Sequence, residues 1–361
     1  MNNNKKILII VQRSNGDVFF SNTLIKNLKR NYPYSKIDLL VNDDTIPIAE
    51  LINGINKIYS FSYREKKEHR FKQEISLVKS LYKNYDLSIN LTASDRSVLY
   101  CILSGRYSIS AVERNRKKSW WKRFFLSQFY FFDPSNHILI NNLNPLNILN
   151  ISYQNKVLPI SPSLDCLRSV KNRLKSLGVD KFIIFHPAAQ YQYKVYPKKL
   201  RNELFNLLNE LSVKIIVTGG NSIIDNKIKQ SLPSIENVYD FINKTTMEEY
   251  IALSSLSIGY LGMDTLNMHI AASQGKKVFA IFGPTNLKMW SPWSNISMLC
   301  AREDNYINEY DNITVFQADL PCVACGKAGC NDQHDESLCL NFIDPEFIYQ
   351  KVQNVINDQK I

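Results

Sequence analysis

Ile7-Leu8-Ile9-Ile10-Val11 runs into Gln12-Arg13-Ser14-Asn15-Gly16-Asp17 and then into a periodic segment from Ser21 to Arg30. The β-branched apolar run predicts a strand buried on both faces. In the segment that follows, Leu24, Ile25 and Leu28 fall on one side of a helix. Working outward, Lys36–Val41 predicts a second strand, Ile48–Ile52 a short helix and Lys57–Phe61 a third strand. Phe71–Lys83 predicts a helix with Ile75, Val78 and Leu81 or Tyr82 turned inward, and Asp86–Leu91 a fourth strand. Strand and helix alternating at this rhythm predict a parallel sheet with right-handed crossovers.

The alternation breaks over residues 133–162, which are rich in Asn, Pro and Ser, and restarts at Phe182-Ile183-Ile184-Phe185. A helix over Leu200–Leu211, a strand over Lys214–Val217 and a helix over Tyr250–Ser255 follow. Leu256–Gly259 then has strand character, Leu266–Ser273 helical character, and Val278–Phe282 is another strand. The expected fold class is therefore α/β, with two facing, doubly wound Rossmann-like domains joined near residues 155–170. Ligands are expected at the carboxyl ends of the strands, in the cleft between the domains. The expected boundaries are 1–165, 166–344 and a C-terminal helix over 345–361 that packs back on the first domain.

Composition agrees with folded domains. A chain of 361 residues exceeds what one core serves, and 45% apolar against 21% charged residues excludes disorder. Lys and Arg number 44 and Asp and Glu 33, so 44 − 33 gives +11. Such a balance favours polyanionic partners: nucleic acid, an anionic membrane or a phosphorylated glycan. After Met1-Asn2-Asn3-Asn4-Lys5-Lys6, the apolar run of Ile7–Val11 is too short for a secretory signal or a membrane span. A cytoplasmic protein is expected, whose seven cysteines serve a metal or remain free thiols.

Six stretches carry candidate chemistry. Ser14-Asn15-Gly16-Asp17 stands at the end of the first strand. Asp17 there either acts as a base on an attacking hydroxyl or charges the first turn of its helix. His186-Pro187-Ala188-Ala189 leads to Lys194-Val195-Tyr196-Pro197, where Lys194 could neutralise a diphosphate or simply face water. Gly219 and Gly220 after a strand permit close backbone approach, or an ordinary turn. Gly262-Met263-Asp264-Thr265 opens a helix whose free N–H groups could face a pyrophosphate, with His269 one turn in; a capped core helix is the plainer alternative. Cys322, Cys325, Cys330 and Cys339 suit a structural Zn or Fe, or are reduced structural thiols. Finally, Arg114–Phe125 interleaves basic and aromatic residues, as at a membrane surface, in single-stranded nucleic-acid binding or in a partly buried helix.

Together these stretches resemble the heptosyltransferase family (glycosyltransferase family 9), over most of the chain. The resemblance rests on Ser14-Asn15-Gly16-Asp17-Val18 with Lys29-Arg30-Asn31-Tyr32-Pro33, on Lys194-x-Tyr196-Pro197, similar to the family's Lys-x-Trp-Pro, and on Gly262-Met263-Asp264-Thr265 with His269, Ala271 and Ala272. Phe282-Gly283-Pro284-Thr285 and Trp290 extend it, and the cysteines resemble a cluster found in a subset of such enzymes. It implies a GT-B fold and an inverting transfer, without a catalytic cofactor, from a nucleoside-diphosphate sugar such as ADP-heptose. The implied acceptor is a cell-envelope glycan such as lipopolysaccharide core, reached at the inner membrane face, and no nucleic-acid partner is implied. On the same resemblance Asp17 is the general base, flanked on the acceptor side by Asn15 and Gly16. Lys194 and the N–H groups near Thr265 hold the departing diphosphate, Asp264 the sugar hydroxyls, and His269 the phosphate or sugar. Gly219, Gly220, Gly262 and Met263 complete the donor pocket. The chain departs from the family pattern at Leu266, where Gly is usual, at Ala188 and Ala189, which lack a hydroxyl, and at Tyr196, which replaces Trp. Rival readings are a protein-modifying heptosyltransferase, another nucleotide-sugar enzyme such as an epimerase, and a basic, metal-containing nucleic-acid-binding protein.

Overall fold

The computed structural model describes residues 4–67, 70–303 and 307–358. Residues 1–3, where the sequence was searched for a targeting signal, and 359–361 of the expected last segment lie outside them. The chain divides into two compact units, Met1–Ile160 and Ser161–Ile361, a few residues before the expected boundary.

Among its described residues the first unit holds six strands: β1 (Lys6–Val11), β2 (Lys36–Asn42), β3 (Ile55–Phe61), β4 (Tyr85–Asn90), β5 (Gly105–Val112) and β6 (Gln128–Phe131). They form one parallel sheet in the order β3-β2-β1-β4-β5-β6. Ile7–Val11 are at most 1% exposed, so both faces of β1 are covered. Each such side chain contributes roughly 1.5–3 kcal/mol by leaving water. The helix Asn15–Asn31 puts Leu24, Ile25 and Leu28 inward as the periodicity predicts. The helix Arg70–Leu81 follows its prediction in part: Leu81 is buried and Val78 packs against the core, but Leu77 takes the inward place expected of Ile75, which is 53% exposed. Ahead of the expected break lie elements not placed from the sequence, helices Asp95–Ser104 and Arg116–Phe125 with strands β5 and β6, and the break itself conceals a helix Ile138–Ile148 with Pro145 inside it.

The second unit holds β7 (Phe182–His186), β8 (Lys214–Gly219), β9 (Val238–Ile242), β10 (Gly259–Met263), β11 (Lys277–Ile281), β12 (Asn308–Tyr310) and β13 (Ile313–Phe316). Their order is β12-β13-β11-β10-β7-β8-β9, parallel except for the short edge strand β12. The strand expected at Leu256–Gly259 starts three residues later, because Leu256 closes the helix Met247–Leu256. The expected linker ends early, since the helix Leu164–Ser176 is capped by Ser163, whose hydroxyl accepts the Cys166 N–H. The final helix, Pro345–Asp358, corrects another expectation. Ile348, Tyr349, Val352 and Ile356 join the core of the second unit, packed with Leu204 and Leu208 of the helix Lys198–Leu208.

Candidate active site

Each sheet reverses its winding once, between β1 and β4 in the first unit and between β7 and β10 in the second. Loops diverge there in opposite directions, leaving a crevice at the strands' carboxyl ends.

At the first reversal Asp17 follows β1. It is 3% exposed and stands at the third position of its helix. Oδ2 accepts the Ser14 N–H at 3.2 Å and the Ser14 hydroxyl at 2.7 Å, and Oδ1 lies 3.5 Å from Arg13 Nε. Ser14 and Asp17 form a reciprocal capping box, so the carboxylate satisfies donors that the helix start leaves open. Asn15 and Gly16 are the first residues of that helix. The capping alternative is thus built, and the carboxylate remains an acceptor held by Arg13.

At the second reversal the loop after β7 meets the end of β10. Lys194 Nζ lies 2.7 Å from Asp264 Oδ2, with side chains 23% and 9% exposed. Burial lowers the lysine's pKa, but attraction and a hydrogen bond to Asp264 outweigh it and leave the pKa raised. The cation is therefore fixed where an anionic ligand could share it. Asp264 is positioned by its own N–H, which donates to the Ile281 carbonyl of β11 at 3.2 Å. Thr265 is the N-cap of the helix Leu266–Ser273, and its hydroxyl lies 3.4 Å from that of Tyr260. Tyr260 in turn donates to the Met263 carbonyl at 2.9 Å. One turn in, His269 is 4% exposed, and burial holds its pKa down at about 4, so it is neutral at physiological pH. Gly275 closes this helix with a left-handed φ of 72°, as a C-terminal glycine should.

The glycines and Met263 serve the scaffold. Gly262 pairs with His186 across the ladder, and a Cβ there would run into the His186 carbonyl oxygen. Met263 is fully buried in the core. After β8, Asp225 curls back so that Oδ1 accepts the Gly220 N–H at 2.9 Å and Oδ2 the Ser222 N–H at 3.0 Å. A Cβ on Gly219 would stand 2.7 Å from Asp225 Oδ1. The Gly220 N–H is thus turned to a carboxylate of the chain itself.

Sequence reasoning missed the polar cluster around His186 at the end of β7. His186 shares a 3.0 Å contact with the Thr218 hydroxyl and another with Asn267 Nδ2. Burial lowers its pKa to about 4, against the opposing pull of Asp225. A polar residue closing the run Phe182-Ile183-Ile184-Phe185-His186 is a signal that could have found it. Ser222-x-x-Asp225 is likewise a legible capping box.

The four cysteines of the expected cluster feel one another's field. Cys322, Cys325 and Cys330 are exposed, Cys339 is buried, and Cys330 Sγ accepts the Leu338 N–H at 3.4 Å. The connecting chain turns through left-handed residues at Ala324, Gly326, Gly329, Asn331, Asp332 and His334. Burial first, then the field of the other three thiols, pushes the Cys339 thiol up to about 11. Among the described residues no three His, Cys, Asp or Glu side chains are arranged to hold a metal ion.

The basic aromatic stretch divides in two. Lys122 is fully buried, with Asp95 at 2.7 Å and Glu113 at 2.8 Å, and Arg123 lies over the Phe131 ring. Neither is free for a polyanion. Trp120, Phe124 and Phe125 are 66%, 79% and 60% exposed, beside exposed Arg116, Lys117 and Lys118. Among the described residues no helix is long and apolar enough to cross a membrane.

Comparison with known proteins agrees with this geometry. Lipopolysaccharide heptosyltransferase 3 of Escherichia coli K12 is 30% identical over 291 residues, covering 78% of this chain and 83% of that protein. A glycosyltransferase family 9 protein of Veillonella parvula superposes with a TM-score of 0.75 at 15% identity over 99% of both chains. ADP-heptose lipopolysaccharide heptosyltransferase II of E. coli does so with a TM-score of 0.71 at 17% identity, over 99% of this chain and 100% of that one. The fold is that of these GT-B enzymes. Residues 75–315 match the family described as glycosyltransferase family 9 (heptosyltransferase), and with two doubly wound units and a cation–carboxylate pair at the second reversal, the chain belongs to that family of glycosyltransferases.

Proposed function

We propose that this glycosyltransferase moves a heptose from ADP-heptose onto the core of a lipopolysaccharide or lipooligosaccharide, with inversion at the anomeric carbon. The observation that carries the reading is the half-buried Lys194–Asp264 pair at the carboxyl end of the second sheet. A lysine held there by one carboxylate oxygen keeps donors for a diphosphate, and the carboxylate keeps lone pairs for sugar hydroxyls. Neutral His269 beneath them adds no charge to the site. In the step, the acceptor hydroxyl oxygen attacks the anomeric carbon, the bond to the diphosphate oxygen breaks, and Asp17 takes the hydroxyl proton. The leaving diphosphate carries its extra negative charge onto Lys194 and the N–H groups at the start of the helix Leu266–Ser273. The relatives named above support the donor and acceptor classes. The test incubates the protein with ADP-heptose and heptose-deficient lipopolysaccharide. Heptosylated product and free ADP in equal amounts are expected; ADP-heptose left intact, while another nucleotide sugar is consumed, would discard the donor assignment.

The reading includes a place of action, the cytoplasmic face of an anionic membrane. The exposed ring edge of Trp120, Phe124 and Phe125 beside cationic side chains supports it. Vesicles with anionic lipid should bind the protein more than neutral vesicles, and less at high salt. Trp120→Ala/Phe124→Ala should lose that preference; equal binding to both vesicle types removes this face from the functional account.

A further inference from the structure

A cavity of about 390 Å³ lies in the second unit on the far side of the Lys194 loop. Gln192 and Val195 of that loop, the first turn of the helix Lys198–Leu208, the helix Ile223–Gln230 and the segment 336–341 enclose it. It is large enough for a small metabolite. Its cationic groups are Lys198, Arg201 and Lys227, and its acidic side chain is Glu336, so 3 − 1 leaves a charge of +2.

Arg201 is the unusual member. It is 5% exposed and has no carboxylate within ion-pair distance among the described residues. Its Nη1 donates to the Tyr196 carbonyl and its Nη2 to the Ser231 hydroxyl, both at 3.2 Å, while Nε has no partner. Ser337, on another wall, is 3% exposed, and its hydroxyl also has no partner. Burying a guanidinium with neutral acceptors only is unfavourable unless a counter-charge is supplied. The start of the helix Lys198–Leu208 adds its own free N–H groups, and its N-cap, Pro197, makes no side-chain cap. An unpaired buried cation, an orphaned buried hydroxyl and an uncapped helix start thus line one hollow. Each calls for an acceptor that carries negative charge.

We infer that this cavity binds a phosphate group, as free phosphate or as the phosphomonoester of a small molecule, with Arg201, Lys198, Lys227 and Ser337 as its partners. A phosphate offers enough oxygens for the arginine, the hydroxyl and the helix N–H groups at once. The site is separate from the donor lysine: Lys194 turns to Asp264, whereas Gln192 and Val195 of the same loop line this hollow. Occupancy braces that loop from behind, because Arg201 already holds its Tyr196 carbonyl.

The test is a thermal-shift titration of the full chain with sodium phosphate against sodium chloride at equal ionic strength, repeated with glucose 6-phosphate. Phosphate should raise the melting temperature beyond chloride. The rise should persist in Lys194→Ala, which removes phosphate binding at the donor lysine. It should weaken on the order of tenfold or more in apparent affinity in the surface variant Lys198→Gln/Lys227→Gln. A larger shift with the ester than with phosphate puts an organic group in the rest of the cavity, and equal shifts put free phosphate there; both support the site. No rise beyond chloride, or a rise that Lys194→Ala abolishes and Lys198→Gln/Lys227→Gln leaves intact, overturns it. Because Lys198 and Lys227 are exposed, that variant keeps its fold where Arg201→Met need not.

Discussion

Each unit places a carboxylate at its reversal of winding, and the two treat it differently. Asp17 is bound to its own neighbourhood: Ser14 and Arg13 hold it, within one turn of the same helix. Asp264 is bound across the unit by Lys194, a residue 70 positions away. A carboxylate that caps its own helix has a structural reason to exist whatever the chemistry. A lysine drawn 70 residues to a half-buried carboxylate has none so local, since such an ion pair gains little net stability. The second unit's pair is therefore the stronger functional signal, and Asp17 must be separated from its capping role by experiment.

The largest effect expected is on turnover. Asp17→Asn keeps an oxygen acceptor for Ser14 but cannot take a proton, so transfer should fall by on the order of 10²–10⁴ with donor affinity near wild type. Single-turnover rates beside ADP-heptose binding check it; near-normal transfer would leave Asp17 a cap and nothing more. Next comes acid sensitivity of the second unit. His186 and His269 have folded pKa values near 4, below the ordinary 6.5. The unfolded chain then binds more protons between those values, so stability is full above about pH 6.5 and declines as pH falls towards 4, by up to about 3 kcal/mol per histidine. Melting curves between pH 7.5 and 4.5 (roughly the window of those two values) should show the decline, and His269→Gln should flatten part of it. Lys194→Ala should weaken ADP-heptose binding by about 1.5–3 kcal/mol and slow transfer as well. An unchanged dissociation constant in calorimetry would mean that the lysine only balances Asp264. The smallest effect belongs to the first unit: Ser14→Ala should cost about 1 kcal/mol of stability through the lost cap. If it also slows transfer, measured beside the melting temperature, the cap and the chemistry are one device.

Legibility followed the range of the interactions. The helix Leu266–Ser273 was readable from end to end because its start at Asp264-Thr265 and its stop at Gly275 are written locally. Strands buried on both faces were readable for the same reason. The helix Ile138–Ile148 was hidden, since Pro145 and its run of asparagines score as loop while Leu139, Leu143 and Leu146 still bury one face. At the site, sequence supplied Lys194 and Asp264 as separate candidates, but only the order of β7 and β10 in the sheet brings them to 2.7 Å. His186, Asn267 and Asp225 stayed out of view because their roles depend on neighbours from other strands. The cysteine spacing was visible, but the left-handed turns of the chain that connects the cysteines were not.

Lys122 has a practical corollary. Within the helix Arg116–Phe125 it sits fully buried between Asp95 and Glu113, while Lys117 and Lys118 stand in solvent. An amine-acylating reagent applied to the folded protein should therefore modify the latter two and spare the first. The same helix then carries both a reporter and its internal reference: protection of Lys117 and Lys118 reads out a covered surface, and labelling of Lys122 reads out a chain that has opened.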